Sequence, residues 1–314
     1  MRIATYNVEW FANLFDDAGN LIDNNSWSGW QDVTKAEQAV ALARVFQAIN
    51  ADAIMIIEAP DISPHRDGRI ALETFAAYAG LRARKALAGF PNETQQEIIL
   101  LYDPDTVSAR HDPKGDGTSK KGSDKTPRFD GVFRLDLDVD AAPDLIRWSK
   151  PPLEAVLKTK GRREVRMIGV HAKSKAPHGA QEGHAAFRIS IENRSKQLAQ
   201  CIWLRQRIEQ HLEDGDDLIV LGDLNDGPGL DDYESSSGAR ASRSSWAKRA
   251  RPGFSTPTRG WRSAKGSARS PQAHAFACRP MGAISRPCST TSWSRPSCTA
   301  SIRSGASGTR LTIL

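Results

Sequence analysis

The sequence predicts an α/β domain over residues 1–233 and, after it, a tail over residues 234–314 with no fold signal of its own. Three observations lead there. Short apolar runs alternate with amphipathic helical patterns through the first part. Four of those runs end in a polar or charged group. Past Tyr233 both periodicities stop, and all 37 Asp and Glu lie at or before Glu234.

The elements follow in order. Arg2–Val8 reads as a strand, and Thr34–Asn50 as an amphipathic helix whose Thr34 and Glu37 have capping-box spacing. Ala53–Ile57 is a buried strand and Arg69–Ala79 a second helix. Arg82–Ala86, Glu97–Tyr102 and Gly131–Val139 read as further strands, with Leu153–Leu157 and Glu164–Val170 as another pair. His111–Lys125, rich in Gly, Lys, Ser and Asp, reads as a mobile loop. Gln181–Leu212 is a long helical stretch, and Asp217–Leu221 a strongly apolar strand. Residues 235–314 are dominated by Ser, Ala, Arg, Pro and Gly. Such a composition cannot bury enough apolar area to offset the entropy of ordering the chain, so this segment is expected to be largely disordered.

Charge divides the chain at the same place. Residues 1–234 hold 29 of the 43 Lys and Arg against all 37 acids, a net of −8, while residues 235–314 carry +14. The overall +6 therefore describes neither part. Three of the four cysteines lie in the tail and none has CxxC spacing, which argues against a zinc site or a disulfide framework. The N-terminus, MRIATYNVEWF, lacks the basic start and apolar run of a signal peptide, and no apolar stretch is long enough to span a membrane. The expectation is a soluble, cytoplasmic protein with no membrane partner.

The four polar strand ends carry the chemistry. They read Tyr6-Asn7-Val8-Glu9, Ile56-Ile57-Glu58, Val170-His171-Ala172-Lys173 and Leu221-Gly222-Asp223-Leu224-Asn225. With a two-residue side-chain period, Asp223 and Asn225 share a face, as do His171 and Lys173. Glu58 with Asn7 offers hard oxygen ligands, which suit Mg²⁺ or Mn²⁺ rather than zinc. Asp223 would orient or deprotonate an attacking water, Asn225 would donate to a phosphate oxygen, and His171 would donate to the charge developing on phosphorus. Lys173 adds a positive charge for the phosphate. No Cys or Ser nucleophile with a paired base is apparent, which favours direct attack by water. Singly, each residue has an ordinary reading: a capping Glu, a rim His, an Asx turn. Their occurrence in order, each at a strand end, sets them apart. His65, His178 and His184 have no such setting and read as structural.

These same segments, with Gly169-Val170-His171-Ala172-Lys173-Ser174 and Gly222-Asp223-Leu224-Asn225-Asp226, resemble the signature motifs of the endonuclease/exonuclease/phosphatase superfamily over residues 1–233. That superfamily includes DNase I-like nucleases, abasic-site endonucleases, inositol polyphosphate 5-phosphatases and sphingomyelinases. The resemblance implies a four-layer fold, two β-sheets packed face to face and flanked by helices, with Mg²⁺ (or Mn²⁺) near Asn7 and Glu58. It implies that His171, Asp223 and Asn225 handle phosphate and water in hydrolysing a phosphodiester or phosphomonoester. It also makes Pro151-Pro152-Leu153-Glu154 a central strand and Arg128 a weaker substrate-side candidate.

One family motif is missing, the terminal Asp-His pair. No acid follows Glu234, and the tail's sole histidine, His274, sits in Gln272-Ala273-His274-Ala275. The tail has the composition of GC-rich coding DNA read out of frame. One shift over Pro287–Pro296 permits Leu-Leu-Asp-Tyr-Ile-Met-Val-Ser-Pro, an acidic, strand-like run. Two alternatives to an active enzyme follow: a catalytically dead, frameshifted remnant lacking its last strands, or a nucleic-acid-binding protein acting through a genuine basic tail.

Overall fold

The computed structural model describes residues 1–29, 32–136, 143–177, 184–226, 273–275, 300–303 and 310–313. Two sheets dominate it. The first runs β11-β1-β2-β4-β3, formed by β1 (Ile3–Asn7), β2 (Ala53–Pro60), β3 (Lys85–Ala88), β4 (Gln96–Tyr102) and β11 (Ala273–Ala275). The second runs β12-β13-β10-β9-β8-β5. Its strands are β5 (Val107–His111), β8 (Leu153–Thr159), β9 (Glu164–His171), β10 (Leu218–Asp223), β12 (Ala300–Arg303) and β13 (Arg310–Ile313). A small ribbon pairs β6 (Phe133–Leu135) with β7 (Asp144–Ile146). The helices are α1 (Lys35–Ile49), α2 (Gly68–Tyr78) and α3 (His184–Glu213).

Three apolar clusters show how these layers stack. Ile3, Met55, Ile57, Ile98 and Leu100 of the first sheet pack against Leu153, Leu157, Met167 and Leu221 of the second. The outer face of the first sheet, with Tyr6, Ile54, Ile56 and Ile99, meets Phe46 of α1 and Phe75 of α2. The outer face of the second, with Ile168, Val170 and Val220, meets Trp203, Leu204 and Ile208 of α3. Strands buried on both faces read as continuous apolar runs, which is why 54–57 and 98–101 carry no alternation. The architecture is thus a two-sheet α/β sandwich between helices, as expected. The sheets approach closely at Gly169, where a Cβ would lie 2.5 Å from Met55 Sδ and 2.9 Å from Ile98 Cγ2.

Local signals explain the helix ends. Thr34 accepts from the Glu37 amide at 3.2 Å, and Glu37 reaches back to the Thr34 amide at 2.8 Å, closing the capping box. Asp67 caps α2 in the same role.

Several boundaries differ from the sequence reading. The strand expected at 82–86 begins at Lys85, because Arg82 forms an ion pair with Asp52 and bonds Asn50 instead of entering the sheet. Val107–His111 and Asp144–Ile146 are strands that the sequence reading did not assign; both are short, with Ser108 and Arg110 exposed in the first and Asp144 and Leu145 in the second. The segment expected as a mobile loop starts within β5 and is tied to the body. The Asp112 amide donates to Glu154 O at 3.0 Å, the Lys114 amide to Glu154 Oε2 at 3.2 Å, and the Arg128 amide to Asp116 O at 2.9 Å. The first residues of the long helical stretch, 181–183, lie outside the described residues, as do His178 and most of 234–314. Within that last segment β11, β12 and β13 extend sheet edges, with Thr5 opposite His274 and Val220 opposite Ile313. Among the described residues no helix is long and apolar enough to cross a membrane.

Candidate functional site

Two parallel strand pairs, one from each sheet, end at the same rim. β1 and β2 run in register up to Asn7 opposite Ile57, and β9 and β10 up to His171 opposite Asp223. Asn7 Nδ2 donates to Asp223 Oδ2 at 3.0 Å, which joins the two sheets at this point. Glu58 sits at a register shift between Ile57 and Ala59 with φ +62°, so the bulge turns its side chain out of the ladder. Gln96, the first residue of β4, donates from Nε2 to Glu58 Oε2 at 2.6 Å. His171 Nε2 lies 3.8 Å from Glu58 Oε1.

Electrostatics follow from this half-buried setting. Burial raises the Glu58 carboxyl above its ordinary range, with the Glu9 and Asp223 charges acting the same way and Lys150 and Asn7 opposing. His171 is pushed down to about 4, first by burial and then by the Lys150 charge, against the pull of Asp223. It is therefore neutral at pH 7, and its approach to Glu58 is not an ion pair. Lys150 is lowered by burial while Glu58, Asp223 and Glu97 hold its charge and Lys173 repels it. Behind Gln96, the buried Glu97 accepts from the Asn92 side chain at 2.7 Å and is raised to about 7 by burial.

The loops that leave β9 and β10 are pinned from α3. Gln197, fully buried, donates from Nε2 to Leu224 O at 2.8 Å and Asn225 O at 2.9 Å. Three residues on, Gln200 accepts from the Lys173 amide at 2.8 Å. The spacing puts both glutamines on one face of the helix. Gly222 has φ +130°, and a Cβ there would stand 2.1 Å from Val170 O, so the strand turns into Asp223 through a conformation only glycine fits.

The structure brings Asn7, Glu58, His171, Asp223 and Asn225 together. It does not keep the alternation expected beyond the strand ends. β9 stops at His171 and β10 at Asp223, so Lys173 and Asn225 stand in loops. Asn225 has φ +52°, its amide donates to Asp223 Oδ1 at 2.8 Å, and its Nδ2 donates to Ala172 O at 2.8 Å. That is an Asx turn which orients Asp223. Lys173 stands within electrostatic reach of Lys150. Arg128 is held by Asp130 at 2.6 and 2.7 Å and lies over the Phe90 ring, 4.6 Å from its centroid. Its described contacts include no member of the cluster. The sequence reading overlooked Lys150, Gln96, Gln197 and Gln200. Lys150 had only its place before Pro151 to mark it, and Gln197 and Gln200 only their i, i+3 spacing.

The donors suit a hard divalent cation. Asn7 Oδ1 is buried and has no hydrogen-bond partner among the described residues, and Glu58 stands beside it. Among the described residues no three or more His, Cys, Asp or Glu side chains converge as a metal cage. One carboxylate and one amide oxygen, with the rest of the shell left to water and substrate, is a set that Mg²⁺ accepts and zinc does not favour.

Comparison with known proteins identifies no matching family model and no matching curated protein. Among solved structures, a humanized D. rerio TDP2 carrying 14 mutations is similar, with 12% identity and a TM-score of 0.34. The alignment covers 76% of this chain and 65% of that one.

Proposed function

We propose that the chain is a phosphoesterase of the endonuclease/exonuclease/phosphatase, DNase I-like type, which hydrolyses a phosphodiester or phosphomonoester with Mg²⁺ or Mn²⁺ and activated water. The observation that carries this reading is the convergence of Asn7, Glu58, His171 and Asp223 from four strands of two sheets, with the buried Asn7 Oδ1 lacking a hydrogen-bond partner among the described residues.

Asn7 Oδ1 and Glu58 would hold the cation. When bound, it polarises a phosphoryl oxygen and steadies the leaving oxygen. Asp223 accepts hydrogen bonds from Asn7 and from the Asn225 amide, which fixes its carboxylate for a water proton. The neutral His171 has one N–H to give to the charge developing on phosphorus, and its buried Nδ1 has no other partner among the described residues. Lys150 and Lys173 supply positive charge to the phosphate. Hydrolysis of a phosphodiester panel by the full chain tests this. Activity that needs Mg²⁺ and is abolished by His171→Ala supports the reading; activity unchanged by chelation or by that substitution overturns it.

A second reading is a catalytically dead remnant, favoured by the absence of any acid after Glu234 and hence of the family's terminal Asp-His pair. No turnover in either chain is its signature, and sequencing the locus tests the frameshift behind it. A nucleic-acid-binding tail is a third reading, resting on the +14 of residues 235–314. Its mark is salt-sensitive binding lost on deleting those residues.

A further inference from the structure

A row of polar side chains on α3 grips the backbone of the loops that follow β9 and β10. Ser190 Oγ donates to Lys175 O at 3.2 Å, and Asn193 Nδ2 to Ala176 O at 2.8 Å. Gln197 holds the Leu224 and Asn225 carbonyls. Steps of three, four and three residues from Ser190 through Asn193 and Gln197 to Gln200 keep the row on one side of the helix. Gln200, buried, reaches two segments that are distant in sequence. Its Oε1 accepts from the Lys173 amide at 2.8 Å, and its Nε2 donates to Arg147 O at 3.2 Å.

Each of those segments carries a lysine of the site. Lys173 is the residue whose own amide is held. Lys150 follows Arg147 by three residues, with little slack between them. Trp148 is buried against Trp203 of α3, their ring centroids 6.3 Å apart. On the other side Pro151 and Pro152 fix the backbone, and a residue that precedes a proline is itself restricted. A displacement of Arg147 O is therefore passed on to Lys150. The two ammonium groups feel each other: Lys173 repels Lys150, while Glu58, Asp223 and Glu97 attract it. Among the described residues neither lysine forms a direct ion pair. Like charges held together in this way favour an anion between them.

We infer that Gln200 is a positioning residue: one buried side-chain amide, bonded to the Lys173 amide and to Arg147 O, holds Lys150 and Lys173 together so that both charges serve a single phosphate. The inference rests on the phosphoesterase reading for the fate of the phosphate, but not for its capture. The choice of side chain follows from the two bonds. Methionine has nearly the shape of glutamine but would leave the Lys173 amide and Arg147 O unpaired. Asparagine, one methylene shorter, keeps the amide and reaches at most one of the two. A clamp that acts on bound phosphate in ground and transition states alike shows its loss in KM rather than in kcat.

Calorimetric binding of inorganic phosphate to the full chain, with a chelator present so that the lysines and not a cation are read, tests the inference. The variants are Gln200→Met, the milder Gln200→Asn, and Phe75→Leu, which loosens the core under α2 far from these contacts. Circular dichroism confirms that each is folded. Both Gln200 variants should bind phosphate about fivefold or more weakly than the wild-type chain, the worth of roughly one net hydrogen bond. Phe75→Leu should lose stability and keep the wild-type affinity, which separates positioning from general loosening. On a phosphodiester, Gln200→Met should raise KM and leave kcat unchanged. In the wild-type chain, phosphate should protect Lys150 and Lys173 together from amine acetylation. No phosphate binding, equal affinity in the Gln200 variants, protection of one lysine alone, or a loss confined to kcat would overturn it. Phosphate binding that depends on Gln200 in a chain without turnover sinks the phosphoesterase reading and keeps this inference. Turnover with phosphate binding indifferent to Gln200 does the reverse.

Discussion

Asn7 Nδ2 and Asp223 Oδ2 are 3.0 Å apart across 216 residues of sequence, and this bond links the two sheets at the rim where the other site residues gather. The pair acts as a unit: Asn7 orients Asp223, and Asp223 fixes which way the Asn7 amide points. Asn7→Ala and Asp223→Ala should each lower kcat/KM by about 10²–10⁴. The double variant should lose little more than the worse single one, because groups that act together are non-additive. Steady-state kinetics on the three variants checks this; additive losses would separate the two residues.

Gly169 lets the two sheets approach closely. In Gly169→Ala the new methyl meets Met55 Sδ at 2.5 Å and Cγ at 2.8 Å, inside a core with no slack. Overpacking of this kind typically costs about 1–3 kcal/mol. Urea unfolding should show it, with partial relief in Gly169→Ala/Met55→Ala.

His171 makes stability sensitive to acid. Its folded value of about 4 lies below the unfolded value near 6.5. Between those limits the unfolded chain binds the extra proton, so stability falls as pH drops from 6.5 to 4. The slope from this group is at most about 1.4 kcal/mol per pH unit. Urea midpoints from pH 7 to 4 should show His171→Gln losing less than the wild-type chain; parallel profiles would contradict it.

Glu97 works in the opposite sense. Its folded value near 7 lies above the ordinary 4.5, so the native state keeps a proton that the unfolded state releases. Stability from this source is lost as pH rises from 4.5 to 7. Relative to the wild-type chain, Glu97→Gln should gain stability across that window and level off above it, as read from melting temperatures.

Gln197 supports the loop after β10. Gln197→Ala leaves the Leu224 and Asn225 carbonyls without their donor and should cost about 1–3 kcal/mol. Hydrogen exchange should rise at residues 224–226 before it rises in β10.

Much of this was legible in the sequence, for physical reasons. Buried strands read as apolar runs, so 54–57, 98–101 and 218–221 stood out, and Thr34 with Glu37 announced the start of α1. A strand that ends in Asn7, His171 or Asp223 shows itself because the polar residue breaks the run. The weaker elements were hidden. β5 is five residues long with only Val107 buried, and β7 is three residues long with only Ile146 buried, so neither forms an apolar run. Lys150 reaches the site through tertiary packing, for which its neighbours in sequence carry no signal. Asn225 was read as an extension of the strand period, whereas backbone turn chemistry decided its position. Arg128 lacked any sign that Asp130 and Phe90 would hold it.

The metal dependence of turnover is the decisive observation for the proposed centre. Initial rates on a phosphodiester would be measured against Mg²⁺ concentration for the wild-type chain, Asn7→Ala and Glu58→Gln. The arrangement of Asn7 and Glu58 predicts saturable activation, with half-saturation moved upward by about tenfold or more in each variant, as loss of one ligand or its support requires. Turnover that proceeds without a divalent cation, or a half-saturation that neither substitution moves, would contradict the assignment.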